Sequence, residues 1–281
     1  WKLAPRGVSF QLALRVLQRK LLIMKAFPRQ ATELAPRGSA SWKLTPLTMT
    51  DMIFRRRRLP HQDVEGHPIF ITGCLEGSLP ASGLSRINRY REELESRPRP
   101  QDMTEPEWEH HRQKLLFGFV DQLLDGESPV CHLKDERQAA IVQNAFLHFA
   151  NERYRLLAFV VMPSHHHWLF LPDETWSVAA VTQSRAKGSE QRTPREIISH
   201  SIQSYTATMC NRVRGETGVY WQHETFDHWA RDEAEMLRII HYVENNPVTA
   251  GLAATAEEYR WSSARIRKEL GLYANLRPAA V

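Results

Sequence analysis

The segment from residue 160 to residue 170, VVMPSHHHWLF, constrains the fold of this chain more than any other stretch. Apolar residues stand on both sides of a Pro-Ser pair, which is typical of a tight turn. Because strand side chains alternate with a period of two, His165 and His167 are expected on one face of the sheet and His166 on the other. The pattern therefore predicts two adjacent antiparallel strands, over residues 154–162 and 165–171.

The other predicted elements mix strands with helices. Residues 68–75 are rich in β-branched and aromatic side chains and predict a strand, and residues 130–133 predict a shorter one. Apolar spacing and helix-start signals predict helices over residues 82–96, 105–124, 135–151, 195–213 and 232–246, the last ending at Pro247. This order, with neighbouring strands joined by a tight turn, predicts an α+β fold with an antiparallel sheet and not a doubly wound one.

A single domain is expected over residues 49–270. Within it, the acidic segment 81–127 is expected to be a helical insert on the outside of the sheet. Residues 173–193 are polar and lack periodicity, so they are expected to be a flexible linker. Residues 271–281 are expected to form a tail.

Residues 1–48 differ from the rest of the chain. They hold nine lysines and arginines against one acid, Glu33, and the motif LAPRG occurs in them twice. A targeting peptide and a DNA-binding arm are two functional interpretations. We favour a third, in which these residues are translated sequence upstream of a start at Met49, and we therefore treat them as an N-terminal extension.

The composition argues against several classes of protein. A hydrophobic content of 42% is sufficient for a core. The chain has no run of eighteen apolar residues, so a membrane span is not expected. The three cysteines, Cys74, Cys131 and Cys210, include no Cys-x-x-Cys pair. Neither a disulfide framework nor a structural zinc site is therefore expected, and the expected location is the cytoplasm.

The positive charge of the chain is distributed in patches. The formal net charge is +5, but residues 1–48 alone carry +8. Further along, residues 55–58 are four arginines, and residues 185–214 hold six basic residues against two acids. If nucleic acid is the ligand, contact is expected to be confined to such local patches.

Two groups of residues could carry chemistry. His165 and His167 on one strand face suit a divalent metal, since neutral imidazole is a good ligand. Tyr242 and Asn246 lie one turn apart on a predicted helix and share a face. A phenol with a pKa of about 10 becomes a useful nucleophile only when its target is activated or its proton is removed. The alternative reading is structural, with buried histidines, a packing tyrosine and an asparagine that caps the helix.

Six short motifs follow one another in a specific order: PSHHH at 163–167, YWQ at 220–222, FDH at 226–228, RDE at 231–233, YVENNPVTAGL at 242–252 and WSS at 261–263. In this order they resemble the IS200-like single-tyrosine transposases, and among these the REP-associated tyrosine transposases. The resemblance covers roughly residues 60–264. The chain departs from the family pattern at His166, where an apolar residue is usual, and at Ser164, where Asn or Glu is usual.

The resemblance implies a ferredoxin-like domain of the His-hydrophobic-His nuclease type. It implies a Mg²⁺ or Mn²⁺ site formed by His165, His167 and Asn246. Tyr242 would then attack single-stranded DNA near a hairpin, such as a REP-type palindrome, and form a covalent 5′-phosphotyrosine. Two alternatives stay open at this point: a domesticated protein that binds hairpin DNA without cleaving it, and a hydrolase that uses metal-bound water.

The expected partner is therefore single-stranded DNA with a hairpin, bound by a monomer or a homodimer, and no membrane is expected. In single-strand recognition, basic groups follow the phosphates and aromatic rings stack on bases. The candidate DNA-binding residues are Arg195, Arg212, Arg214, Trp221, Gln222 and Arg231.

Overall fold

The computed structural model describes residues 52–56, 60–64, 66–79, 81–186, 192–223 and 225–271. The predicted extension at residues 1–48 and residues 272–281 of the predicted tail lie outside these ranges. The strands are β1 Met52–Arg56, β2 Pro60–Val64, β3 Ile69–Cys74, β4 Tyr154–Val161, β5 His165–Pro172 and β6 Phe226–Trp229. The helices are α1 Ala81–Ser96, α2 Glu105–Glu127, α3 Glu136–His148, α4 Glu174–Ala186, α5 Pro194–Arg214, α6 Glu233–Thr249 and α7 Ser263–Glu269.

The central sheet has four strands in the order β4-β5-β3-β6, and every neighbouring pair is antiparallel. Along the chain, β3, α3, β4, β5, α5 and β6 form two split β-α-β units, which is the ferredoxin-like arrangement. The predicted α+β fold with an antiparallel sheet is confirmed. Strands β1 and β2 pair with each other in a separate two-stranded sheet.

The two faces of the sheet are covered by different helices. On one face, Trp168 and Phe170 of β5 pack with residues of α3 and α5 in the larger hydrophobic cluster. On the other face, Phe70 and Leu169 pack against Ile240 and other residues of α6. The alternation of β5 side chains therefore assigns each strand residue to one of two distinct cores.

Helix α6 is fixed on this second face by a buried polar cluster at its C-terminal half. The Glu244 carboxylate accepts a hydrogen bond of 2.6 Å from the Ser263 hydroxyl and forms an ion pair with Arg267. At the other end of α6, the Asp232 side chain accepts a hydrogen bond from the Glu235 backbone amide at 2.6 Å. This cap begins the helix where the sequence predicts it.

The linker predicted over residues 173–193 is wrong for most of its length, because residues 174–186 form α4. Asp173 caps this helix by accepting a hydrogen bond from the Trp176 amide at 2.8 Å. Trp176 packs against the larger hydrophobic cluster. One cap and one partly buried ring therefore hold a helix whose polar sequence lacks a clear period.

Two other predicted boundaries also differ. Residues 132–134 form a short 3₁₀ turn instead of a strand, since Asp135 follows immediately and caps α3 through the Arg137 amide at 2.9 Å. Pro247 lies inside α6 and does not end it. The ring costs the helix one amide donor, but α6 continues to Thr249 and ends before Gly251, which has a φ of 68°. Among the described residues, no helix is long and apolar enough to cross a bilayer.

Candidate active site

The two histidines at the start of β5 form the centre of the site. Both side chains are fully buried, and their Nε2 atoms lie 3.2 Å apart. His166 points to the opposite face, as predicted, where its ring packs edge-on against Phe146 and Trp221. Alternation along the strand thus places the His166 imidazole on one face of the sheet and directs the His165 and His167 imidazoles towards a common point on the other.

Hydroxyl groups on either side orient the histidine pair. The Ser164 hydroxyl donates to the Leu124 carbonyl at 3.1 Å, so its oxygen accepts from the Nδ1–H of His165 at 2.9 Å. The proton of His165 is therefore placed on Nδ1, which leaves a lone pair on Nε2. Nδ1 of His167 lies 2.8 Å from the Thr72 hydroxyl, which can donate or accept. Such partners are the usual supports of metal-binding histidines.

The third member of the site is Asp121 of α2, which the sequence analysis did not identify. Its Oδ1 lies 3.1 Å from Nε2 of His167 and 3.6 Å from Nε2 of His165. Among the described residues, these three are the one group of His, Cys, Asp and Glu side chains whose ligand atoms converge within 4.8 Å. Asp121 comes from the segment that was expected to lie outside the sheet, so the insert contributes to the site.

Helix α6 brings Tyr242 and Asn246 to the same carboxylate. The Tyr242 hydroxyl donates a hydrogen bond to Oδ2 of Asp121, and the Asn246 amide nitrogen donates to the same oxygen at 3.1 Å. The two residues therefore share one face of the helix, as predicted. The amide oxygen of Asn246 is buried and has no hydrogen-bond partner among the described residues.

The electrostatics of the site set the charges at neutral pH. Burial acts to raise the pKa of Asp121. The charge and the hydrogen bond of His167 outweigh it, together with the charge that His165 carries when protonated and the hydrogen bond from Tyr242, and lower the pKa to about 2. Burial, followed by the charge of Asp121, raises the pKa of Asp125 to about 7; its Oδ1 lies 3.8 Å from Nε2 of His165. Burial also lowers the pKa of His165 to about 3. The site therefore contains an ionised Asp121 beside a neutral His165.

These residues fit a divalent cation. Neighbouring ligands of an octahedral ion at about 2.1 Å are about 3 Å apart, and the two Nε2 atoms and Oδ1 are separated by 3.1 to 3.6 Å. A lone pair on His165, an ionised carboxylate and a partnerless buried amide oxygen are each suitable donors. Two imidazoles with a carboxylate suit Mn²⁺ and other first-row ions, and carboxylate and amide oxygens suit Mg²⁺.

Tyr242 requires help to act as a nucleophile. Burial, then the charge of Asp121 and the hydrogen bond to it, raise the pKa of the Tyr242 phenol above its ordinary value. The carboxylate that raises this pKa is also the acceptor of the phenolic hydrogen bond. Asp121 therefore keeps the proton on the phenol at rest and orients the hydroxyl through this hydrogen bond.

The candidate DNA-binding residues do not gather at this centre. Trp221 is buried on the opposite face of the sheet, and its indole N–H donates to the Thr206 hydroxyl at 2.9 Å. Arg195 is buried beside Asp227, with 3.7 Å between Nε and Oδ2. A direct contact between DNA and either side chain would need it to leave these partners.

The other four candidates are more accessible. Arg212 is exposed at the end of α5, and the neighbouring Arg214 forms an ion pair with Glu216. Gln222 donates to the Ser78 hydroxyl at 3.4 Å, and Arg231 pairs with Glu235 at 3.2 Å. The side chains of residues 55–58 lie outside what the structure describes.

Comparisons with known proteins find a distant similarity in sequence and a distant similarity in structure. No protein-family model matches the chain. An uncharacterised protein of Haemophilus influenzae is 26% identical over 98 residues, which are 34% of this chain and 54% of that protein, so the chain spans about half the length of the relative it matches. A solved structure of a REP-associated tyrosine transposase bound to a REP hairpin is 15% identical, with a TM-score of 0.42; the match covers 82% of this chain and 92% of that chain.

Proposed function

We propose that this chain is a metal-dependent, transposase-type enzyme that cuts and rejoins single-stranded DNA near hairpins through a covalent phosphotyrosine. One observation carries the proposal: the Tyr242 hydroxyl is hydrogen-bonded to Asp121, whose other oxygen faces the His165 and His167 pair. A nucleophile, the hydrogen-bond acceptor that orients it and a set of metal ligands thus meet at one buried point. The ordered motifs that resemble single-tyrosine transposases include Tyr242, His165, His167 and Asn246, whereas Asp121 lies outside them.

Each residue has a role in this proposal. His165, His167 and Asp121 would hold Mg²⁺ or Mn²⁺, with the amide oxygen of Asn246 as a further donor. Such an ion, when bound, polarises a phosphodiester and neutralises its charge. Asp121 orients the Tyr242 hydroxyl, and Asn246 orients Asp121 through its amide nitrogen.

The chemical step conserves the phosphodiester bond energy. The Tyr242 oxygen forms a bond to phosphorus, the bond from phosphorus to the 3′ oxygen breaks, and the phenolic proton leaves along its hydrogen bond to Asp121 and passes to water. The departing 3′ oxygen takes up a proton and becomes a 3′ hydroxyl. Rejoining is the reverse reaction, in which a 3′ hydroxyl attacks the phosphotyrosine.

The test is a search for the covalent adduct. The purified protein is incubated with Mn²⁺ and hairpin oligonucleotides that carry randomised single-stranded flanks, labelled at either end. A denaturation-resistant adduct that retains the 3′-end label and releases the 5′-end label is expected, because the tyrosine holds the 5′ phosphate. Tyr242→Phe should abolish the adduct, whereas Tyr205→Phe should retain it, since Tyr205 is exposed on α5.

Two outcomes would point to other functions. DNA binding without any adduct would favour a protein that holds hairpins and does not cleave them. Cleavage that persists in Tyr242→Phe would favour hydrolysis by metal-bound water.

A further inference from the structure

A cavity of about 400 Å³ lies directly beside the nucleophile. It is enclosed by α2, by the edge strand β6 and by α6, and Tyr242 forms part of its wall. Its size is in the range of ligand-binding pockets, about 300–1,000 Å³. Because Tyr242 belongs to both, the cavity is continuous with the candidate active site.

The inner wall of the cavity is aromatic. The ring centroids of Phe70 and Phe117 lie 6.1 Å and 5.8 Å from that of Tyr242, and all three rings meet edge to face. The ring centroid of Phe226 of β6 lies 6.2 Å from that of Phe117, and Phe226 extends this wall to the sheet edge. Leu116 and Ile239 complete an apolar lining. Such a wall accepts a flat, largely apolar group and offers it several ring faces and edges.

The charged residues that line the cavity leave a positive surplus. Asp227 and Glu235 are occupied, the first by Arg195 and the second by Arg231 and His228. Lys114 and Arg238 are exposed, and within the described ranges no ion pair or hydrogen bond engages them. Two available cations next to an aromatic wall suit a ligand that combines a flat ring with a phosphate.

We propose that this cavity takes one unpaired base of the strand that Tyr242 attacks, while Lys114 and Arg238 contact the adjoining phosphates. The inference rests on the proposed function for the identity of the strand as DNA. A base held here is next to the attacking hydroxyl, so the pocket would position the scissile phosphate by its neighbouring nucleotide. The base leaves the stack of neighbouring DNA bases, and the aromatic rings of the cavity recognise it mainly through ring contacts.

Two glycines of α2 provide a matched test. Gly118 lines the cavity, and a Cβ added there would meet no atom within 4 Å, so a leucine side chain has room to fill the opening. Gly126 lies on the same helix, does not line the cavity and has equally open surroundings. Gly118→Leu and Gly126→Leu therefore make the same change in helix propensity but differ in whether they block the pocket.

Both substitutions are made in Tyr242→Phe, so that cleavage cannot consume the probe. Binding of a fluorescent ten-nucleotide random-sequence strand is compared by anisotropy with that of an all-abasic strand of equal length and charge. Stacking on one base gives a preference of at least about 5-fold for the strand with bases. We expect Gly118→Leu to reduce this preference by at least about 5-fold and Gly126→Leu to leave it intact.

A preference that is equal in the two variants, or absent from both, would overturn the base pocket. The result is independent of the covalent chemistry, because Tyr242→Phe forms no adduct. A failure of the adduct assay with this base preference present would refute the proposed reaction and leave the pocket standing.

Discussion

The substitution Asp121→Asn tests the metal site most sharply. It keeps the size of the side chain but removes the charge of the one carboxylate that lies within 3.6 Å of both Nε2 atoms. Loss of a residue that merely supports a ligand costs about 10–100-fold in metal affinity. Loss of a charged ligand from a set of three should therefore weaken Mn²⁺ binding by more than about 100-fold.

This loss can be converted into a melting temperature. At a concentration 100 times its dissociation constant, an ion stabilises the folded state by about 2.7 kcal/mol. At about 2–4 °C per kcal/mol, the melting temperature of the wild-type chain should rise by about 5–11 °C relative to EDTA. The same concentration should stabilise Asp121→Asn by only about 0.4 kcal/mol, or about 1–2 °C.

The control is Asp125→Asn, one turn further along α2. It removes a carboxylate 3.8 Å from Nε2 of His165 but outside the converging set. The comparison is made at pH 8, above the pKa of about 7 of Asp125, so that this carboxylate is ionised in the wild-type chain. If Asp121 acts as a ligand, Asp125→Asn retains most of the shift. If Mn²⁺ raised the melting temperature of Asp121→Asn as much as that of the wild-type chain, the ligand role would be refuted. Equal losses of this rise in both variants would show that Asp121 acts only through its negative charge.

Three further predictions concern stability and are read from urea unfolding. Asp135→Ala should lower the free energy of unfolding by about 1 kcal/mol at pH 7, because it removes the cap of α3. Hydrogen bonds from Arg137 lower the pKa of Asp135 to about 2. The difference in stability between wild type and Asp135→Ala should therefore be complete above about pH 4 and disappear as the pH falls towards 2. His166→Leu should raise the free energy of unfolding by about 1 kcal/mol and leave the Mn²⁺ shift unchanged, since Nδ1 of His166 is buried and has no hydrogen-bond partner in the described part of the chain. A loss of stability would show that the ring is satisfied. Gly73→Ala should cost about 1–3 kcal/mol because its Cβ would lie 2.4 Å from Nε2 of His166, and a cost that persists undiminished when His166→Ala is added would contradict that cause.

The parts of the fold with a strong local pattern could be predicted from the sequence. Strands β4 and β5 were located within a residue or so, because a long apolar run is broken once by Pro-Ser. Strand β6 was not predicted, since four half-buried residues at a sheet edge give no clear alternation. Its pairing with β3 is set by tertiary contacts that no local window contains.

The candidate site divides in the same way. His165 and His167 follow from alternation along a strand, and Tyr242 and Asn246 from spacing along a helix. Asp121 was missed because it lies in an acidic segment that suggests a solvated surface. Phe117, Val120 and Leu124 recur at helical spacing and place the Asp121 carboxylate beside an apolar helix face. A charged residue next to such a face is unusual, and this is the signal that could have identified Asp121.

The covalent role of Tyr242 is tested most directly by identifying the amino acid that becomes joined to DNA. The protein is incubated with Mn²⁺ and the hairpin pool, digested with trypsin and nuclease, and its peptides are analysed by mass spectrometry. We expect a 5′-phosphonucleotide on Tyr242 that is absent when EDTA replaces Mn²⁺ and strongly reduced in Asp121→Asn. An adduct on any other residue, or cleaved DNA with an unmodified Tyr242 peptide, would contradict it.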